Sequence, residues 1–161
     1  MATLPQLIEE DIEELERVMH DLLLKSDASI ALLLDKGGFL ITKTGNHQQY
    51  DTTTFAALSA AAFAATQGIA ALVSESNFSS VYQQGDQHSI LVLNVDEFCL
   101  LAVIFSAHIS VGAVKYFAEP TVKEIAKQME ICLQRNPEGG LDLSIANMAD
   151  PSGLFKKKAK G

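Results

Sequence analysis

Residues 51–74 read DTTTFAALSAAAFAATQGIAALVS, a run in which only Asp51 carries charge. The spacing predicts one long helix over roughly 52–74. Asp51 is its N-cap, because a carboxylate there accepts from the orphan N–H groups of the first turn. Phe55, Leu58, Ala62, Ala65, Ile69 and Leu72 share one helical stripe, which is expected to face a sheet. The opposite side holds Ala56, Ala60, Ala64, Gln67, Ala71 and Ser74, with Ala57, Phe63 and Gly68 at its margins. An exposed helix face is ordinarily charged, and this one is not. It is flat, small and weakly apolar, so another backbone could come close. A helix covered on both sides by its own chain would need more material than one small domain has. A protein-binding face is the better reading. The run also has the length of a membrane span, but alanine, serine and threonine supply little transfer energy, so no membrane insertion is expected.

Working outward, Ser29–Asp35 and Phe39–Thr44 are short apolar runs joined by Lys36-Gly37-Gly38. Glycine permits positive φ at the joint, which predicts a tight hairpin. Before it, residues 4–25 have apolar residues at three- and four-residue steps, from Leu4 and Leu7 to Leu22 and Leu23. That predicts an amphipathic helix, capped by Thr3 with Pro5 in its first turn. After the long helix, Ser80–Gln84 is short and polar, His88–Val95 alternates, and Phe98–Phe105 is apolar throughout, as a strand covered on both faces would be. Asp96-Glu97 forms the turn between the last two. Residues 110–135 keep helical spacing straight through Pro120, which predicts one kinked helix. The expected fold is therefore α+β: helix, hairpin, helix, three-stranded meander, helix, as one five-stranded antiparallel sheet with helices on both faces. The domain is placed at residues 4–135. Residues 136–161 are expected to be a mostly disordered tail with a basic end.

Composition narrows the function. The chain has 161 residues, 48% hydrophobic and 20% charged, which suits a single domain. Its formal charge is −8. With Lys156, Lys157, Lys158 and Lys160 set aside, 8 basic residues face 20 acidic ones, a net of −12. Such a body repels phosphate backbones, so nucleic acid is an unsuitable partner. The acidic cluster Glu9–Glu16 reads as a solvated helix face or an electrostatic docking surface. Cys99 and Cys132 form no CxxC unit and fall in apolar segments, so no metal or redox site is expected. The N-terminal residues have no basic region of a secretory signal, and a cytoplasmic setting is expected.

No catalytic constellation is present. There is no GxxxxGK[ST], no strand-linked GxGxxG and no GxSxG elbow. His20, His47, His88 and His108 are scattered among different elements, and none has a second histidine or a cysteine four residues away, as a helical zinc pair would require. No cofactor and no enzymatic site of its own are expected. What is left is a recognition module.

IALLLDKGGFLI (30–41), DTTTFAALSA (51–60), LLAVIFS (100–106) and Val111-Gly112 together resemble the roadblock/dynein-light-chain family, over about residues 5–135. Within it they resemble the branch that regulates a bacterial Ras-like GTPase of the MglA type, a setting of cell polarity and motility. The resemblance implies a homodimer. The third strands of two protomers, here Phe78, Ser80, Val81, Tyr82, Gln83 and Gln84, pair across a two-fold into a continuous ten-stranded sheet. The second helices lie side by side and receive the GTPase on Ala60, Phe63, Ala64, Gln67, Gly68 and Ala71. GTP hydrolysis is stimulated by reshaping the partner, without an arginine finger. The chain's two arginines, Arg17 and Arg135, lie on the first and last helices, away from that platform. The other expectation is a roadblock scaffold that tethers partners without changing turnover; a small-molecule sensor of similar shape is weaker. Leu154, Phe155, Lys156, Lys157 and Lys158 are a further candidate contact, toward an acidic partner, an anionic lipid or the chain's own first helix.

Overall fold

The computed structural model describes residues 3–136. The order is α1 (Glu9–Ser26), β1 (Ile30–Asp35), β2 (Leu40–Gly45), α2 (Thr52–Leu72), β3 (Ser80–Gln84), β4 (His88–Asn94), β5 (Cys99–Ser106) and α3 (Val111–Arg135). The five strands form one sheet in the order β2-β1-β5-β4-β3, and all its pairs are antiparallel. This is the α-ββ-α-βββ-α architecture expected from the patterning.

The two central strands explain their own composition. On β1 and β5, alternate side chains serve different cores. Ala31, Leu33, Leu101, Val103 and Phe105 pack with α1 and α3. Ile30, Leu32, Leu34, Leu100, Ala102 and Ile104 pack on the other face with Ala56, Ala60 and Phe63 of α2. A strand buried on both faces has no polar alternation to show. Helices therefore cover both sides, two on one and one on the other.

The hairpin between β1 and β2 closes as the glycines require. Gly38 adopts φ +97°, and the Asp35 carboxylate accepts from the Phe39 N–H at 2.9 Å. At the β4–β5 turn the Asp96 carboxylate accepts from the N–H groups of Phe98 (2.8 Å) and Cys99 (3.0 Å). α3 runs unbroken through Pro120.

One boundary differs. α1 begins at Glu9, not near Leu4, and Thr3 and Pro5 lie before it. Leu4 and Leu7 are nevertheless buried in the α1/α3 core. Their spacing fits a helix and an extended approach equally well, so periodicity could not separate the two. The true start is set by Asp11. Its carboxylate accepts from the Ile8 N–H at 2.9 Å, from both Arg135 terminal nitrogens (2.7 and 2.9 Å), and from Gln128 at 2.8 Å. A long-range pair with α3 thus fixes the first turn of α1. Burial pushes the Asp11 carboxyl up, but the Arg135 and Ile8 hydrogen bonds outweigh it and hold it below the ordinary carboxylate range.

Candidate functional site

The site is built on α2. Asp51 caps it as expected, accepting from the Thr54 N–H at 3.1 Å and from the Thr54 hydroxyl at 2.6 Å. Those hydrogen bonds, the hydroxyl first, lower the Asp51 carboxyl from its ordinary value.

α2 is turned about its axis relative to the sequence expectation: Ala56, Ala60 and Phe63 pack on the sheet with Phe55 beside them, while Ala64, Gly68 and Ala71 stay exposed as expected. Leu58, Ile69 and Leu72, expected against the sheet, are 65%, 51% and 85% exposed. The reason is crowding. The sheet beneath α2 is already filled with Ile30, Leu32, Leu34, Leu100 and Ile104. Ala56 and Ala60 let the helix settle onto it, and Phe63 fills the space beside them. The β1–β2 hairpin tightens the fit: a Cβ at Gly38 would lie 3.1 Å from the Ala57 Cα and 3.7 Å from the Ala60 Cβ. Ala56 and Ala60 thus mark the close approach within the protomer, and Leu58, Ile69 and Leu72 are turned outward.

This corrects two of the six platform residues. Ala60 and Phe63, each 5% exposed, lie beneath the helix and add almost nothing to its outward face. Ala64, Gly68 and Ala71 are exposed, and Gln67 is half-buried. Nothing lies within 4 Å of a Cβ built on Gly68. The outward face therefore runs through Leu58, Ala61, Ala65, Ile69 and Leu72, none of which was a candidate. The missing charge was visible in the sequence; the side on which the large residues fall was not. A contiguous exposed apolar strip of this kind on a folded chain marks an interaction surface.

α2 is also long and apolar enough to cross a membrane by length and composition. Its packing is that of a sheet-covering helix: Ala56, Ala60 and Phe63 complete the second core.

Ala60, Phe63, Ala64 and Gln67 share a second property. They line a cleft of about 470 Å³ between the C-terminal half of α2 and the sheet, closed by Lys36, Phe78, Asn94 and Leu100 among others. The Gln67 side-chain N–H reaches the Phe78 carbonyl at 3.5 Å, while its Oε1 is buried with no hydrogen-bond partner among the described residues. An unmet buried acceptor costs about 1–3 kcal/mol when dry.

β3 lies at the sheet edge and pairs only with β4. Phe78, Ser80 and Val81 are half-buried; Tyr82, Gln83 and Gln84 are exposed. Tyr82 stacks on Phe105 with ring centroids 6.3 Å apart. Among the described residues no strand pairs with the side of β3 away from β4, the condition that invites a second strand.

Arg17 is engaged with Glu14 at 2.7 Å, and Arg135 with Asp11. Both sit on the α1/α3 layer, across the sheet from α2. Among the described residues, no group of three His, Cys, Asp or Glu could hold a metal ion. Cys99 and Cys132 are buried thiols. Burial, with Asp11 adding to it, pushes Cys132 up to about 12. Leu154, Phe155 and Lys156–Lys158 lie outside the described residues.

The Roadblock/LC7 domain model matches residues 14–105. Among solved structures, the chain is 31% identical to Myxococcus xanthus MglB, with a TM-score of 0.73, covering 78% of this chain and 95% of that one. It is 26% identical to the gliding protein MglB of Thermus thermophilus, with a TM-score of 0.74, covering 81% and 99%. A structure described as MglB with tetrameric arrangement is 26% identical, with a TM-score of 0.76, covering 83% and 100%. No curated protein sequence matches the chain significantly. The matched domain spans both the α2 face and the β3 edge, and by it this chain belongs to the Roadblock/LC7 domain family.

Proposed function

We propose that this chain is a homodimeric, non-enzymatic regulator of a small Ras-like GTPase of the MglA type. Two copies pair through their β3 edges, Phe78 and Ser80–Gln84, into a ten-stranded sheet. This brings their α2 helices together as one platform. The GTPase sits on the outward faces of those helices, where Ala64, Gly68 and Ala71 are joined by Leu58, Ile69 and Leu72. The similarity to MglB structures supports this partner class, as does the resemblance in the hairpin and the α2 start. The observation that carries the reading is the outward apolar strip of α2: 3 large aliphatic side chains at least half exposed on a helix with no charge.

Activation is proposed to work by shape. An activator commonly lends an arginine to stabilise transition-state charge. Here both arginines are tied to carboxylates on the layer remote from α2. The regulator instead holds the GTPase in the conformation that aligns its own catalytic groups, an effect of preorganisation. The setting is cytoplasmic, without membrane insertion, and the process is polarity or motility.

Single-turnover GTP hydrolysis by an MglA-type GTPase, with and without the full chain, is the test. Acceleration is expected to persist in Arg17→Ala and to vanish in Ile69→Asp, which charges the strip without touching the core. Binding without any change in rate would leave a tethering scaffold instead.

A further inference from the structure

We propose that the cleft beside the C-terminal half of α2 binds a small amphipathic anion: an aliphatic carboxylate that also carries a hydroxyl. The proposal does not rest on the GTPase reading. The cleft's volume, about 470 Å³, lies within the range of small-molecule sites. Its floor is apolar, made by Ala60, Phe63, Leu100 and Phe78. That surface suits a short alkyl chain and gives water nothing to bond.

The polar groups around it specify the rest of the ligand. Lys36, half-buried at the hairpin, is the one ionisable residue among the described residues of the lining, with no aspartate or glutamate beside it there. Lys36 takes part in none of the ion pairs formed within the described residues. A lysine lining an otherwise uncharged stretch of the cleft favours an anion over a cation there, locally opposing the chain's overall charge of −8. Gln67 adds a second requirement. Its N–H group faces the Phe78 carbonyl, so its Oε1 is the free end, an acceptor that needs a donor. The reversed amide would set two acceptors against each other. A carboxylate meets Lys36 and cannot satisfy Gln67 Oε1; a hydroxyl on the same molecule can. Asn77 and Asn94 supply further donors and acceptors at the rim.

Calorimetric titration of the full chain with 3-hydroxyoctanoate tests this, with octane-1,3-diol as the neutral control that keeps the chain and the hydroxyl. The acid is expected to bind saturably and at least ~10-fold more tightly than the diol, the scale of one charge-assisted hydrogen bond. Lys36→Gln should abolish that difference, and Gln67→Leu should weaken both ligands. Ala64→Trp, at an exposed lining position, should block both while circular dichroism stays unchanged. Absence of saturable binding, a preference for the acid that survives Lys36→Gln, or wild-type binding by the tryptophan variant would each overturn the proposal. No GTPase is in the titration, so its failure is separable from failure of the regulatory reading.

Discussion

Gly68 is the residue at which fold and function can be separated. It lies in the interior of α2 with open space where a Cβ would go. Glycine in a helix interior destabilises by roughly 1 kcal/mol relative to alanine. Gly68→Ala should therefore raise the unfolding free energy by up to about 1 kcal/mol in a denaturant titration. Gly68→Arg should fold as well as wild type yet lose GTPase binding, because a bulky cation would stand where two surfaces must meet. An insoluble Gly68→Arg would show that this side of α2 is internal. At the opposite end of the molecule, Asp11 contributes stability rather than contact. Its folded carboxyl titrates below the ordinary range, so its contribution is present above about pH 4 and is lost as pH falls through the lowered folded value. Asp11→Asn leaves Arg135 without its anion and should cost about 1–3 kcal/mol at neutral pH, less in acid. Urea unfolding at two pH values checks it: a cost as large at about pH 3 as at about pH 7 would contradict the assignment.

α2 is the element whose orientation departs from the sequence expectation, and the departure has a measurable signature. Ala60 is packed against Gly38 and the β-sheet, whereas Ala61 is exposed. Adding a leucine side chain beneath the helix forces an overpacked core, a cost of about 1–3 kcal/mol. Ala60→Leu should lower the melting temperature, and Ala61→Leu should leave it nearly unchanged. The opposite ranking would restore the orientation expected from hydrophobicity. The helix itself was legible: its length, its Asp51 cap and its lack of charge are local properties. Its azimuth was not. Hydrophobicity argues that Leu58, Ile69 and Leu72 should face inward, but an inward residue must also fit. Ile30, Leu32 and Leu100 on the facing strands already occupy that volume. No window of the α2 sequence contains that information. The same limit applies at α1, where Leu4 and Leu7 belong to the core, as their spacing suggests, but not to the helix.

For the whole molecule, the β3 edge is proposed to close in a dimer, which sets two outward α2 strips side by side. Sedimentation equilibrium should return twice the chain mass of 17.4 kDa at micromolar concentration. A monomer under those conditions would remove the paired platform from the regulatory model. The cleft shows what a fold adds beyond its elements. Lys36 comes from a hairpin, Gln67 from a helix, Phe78 from a connection and Asn94 from a strand end. Their separation in the chain is why no local pattern of the sequence marks the cleft.

The chain's own order of residues was enough to determine the element sequence, the antiparallel hairpins, the doubly covered central strands and an uncharged second helix, because each depends on periodicity, turn chemistry or capping within a few residues. The tertiary structure alone decided which side of that helix meets the sheet, where α1 starts, and which distant side chains share a cleft. Those depend on volume already taken and on partners far along the chain, such as Arg135 for Asp11, and local patterning carries neither.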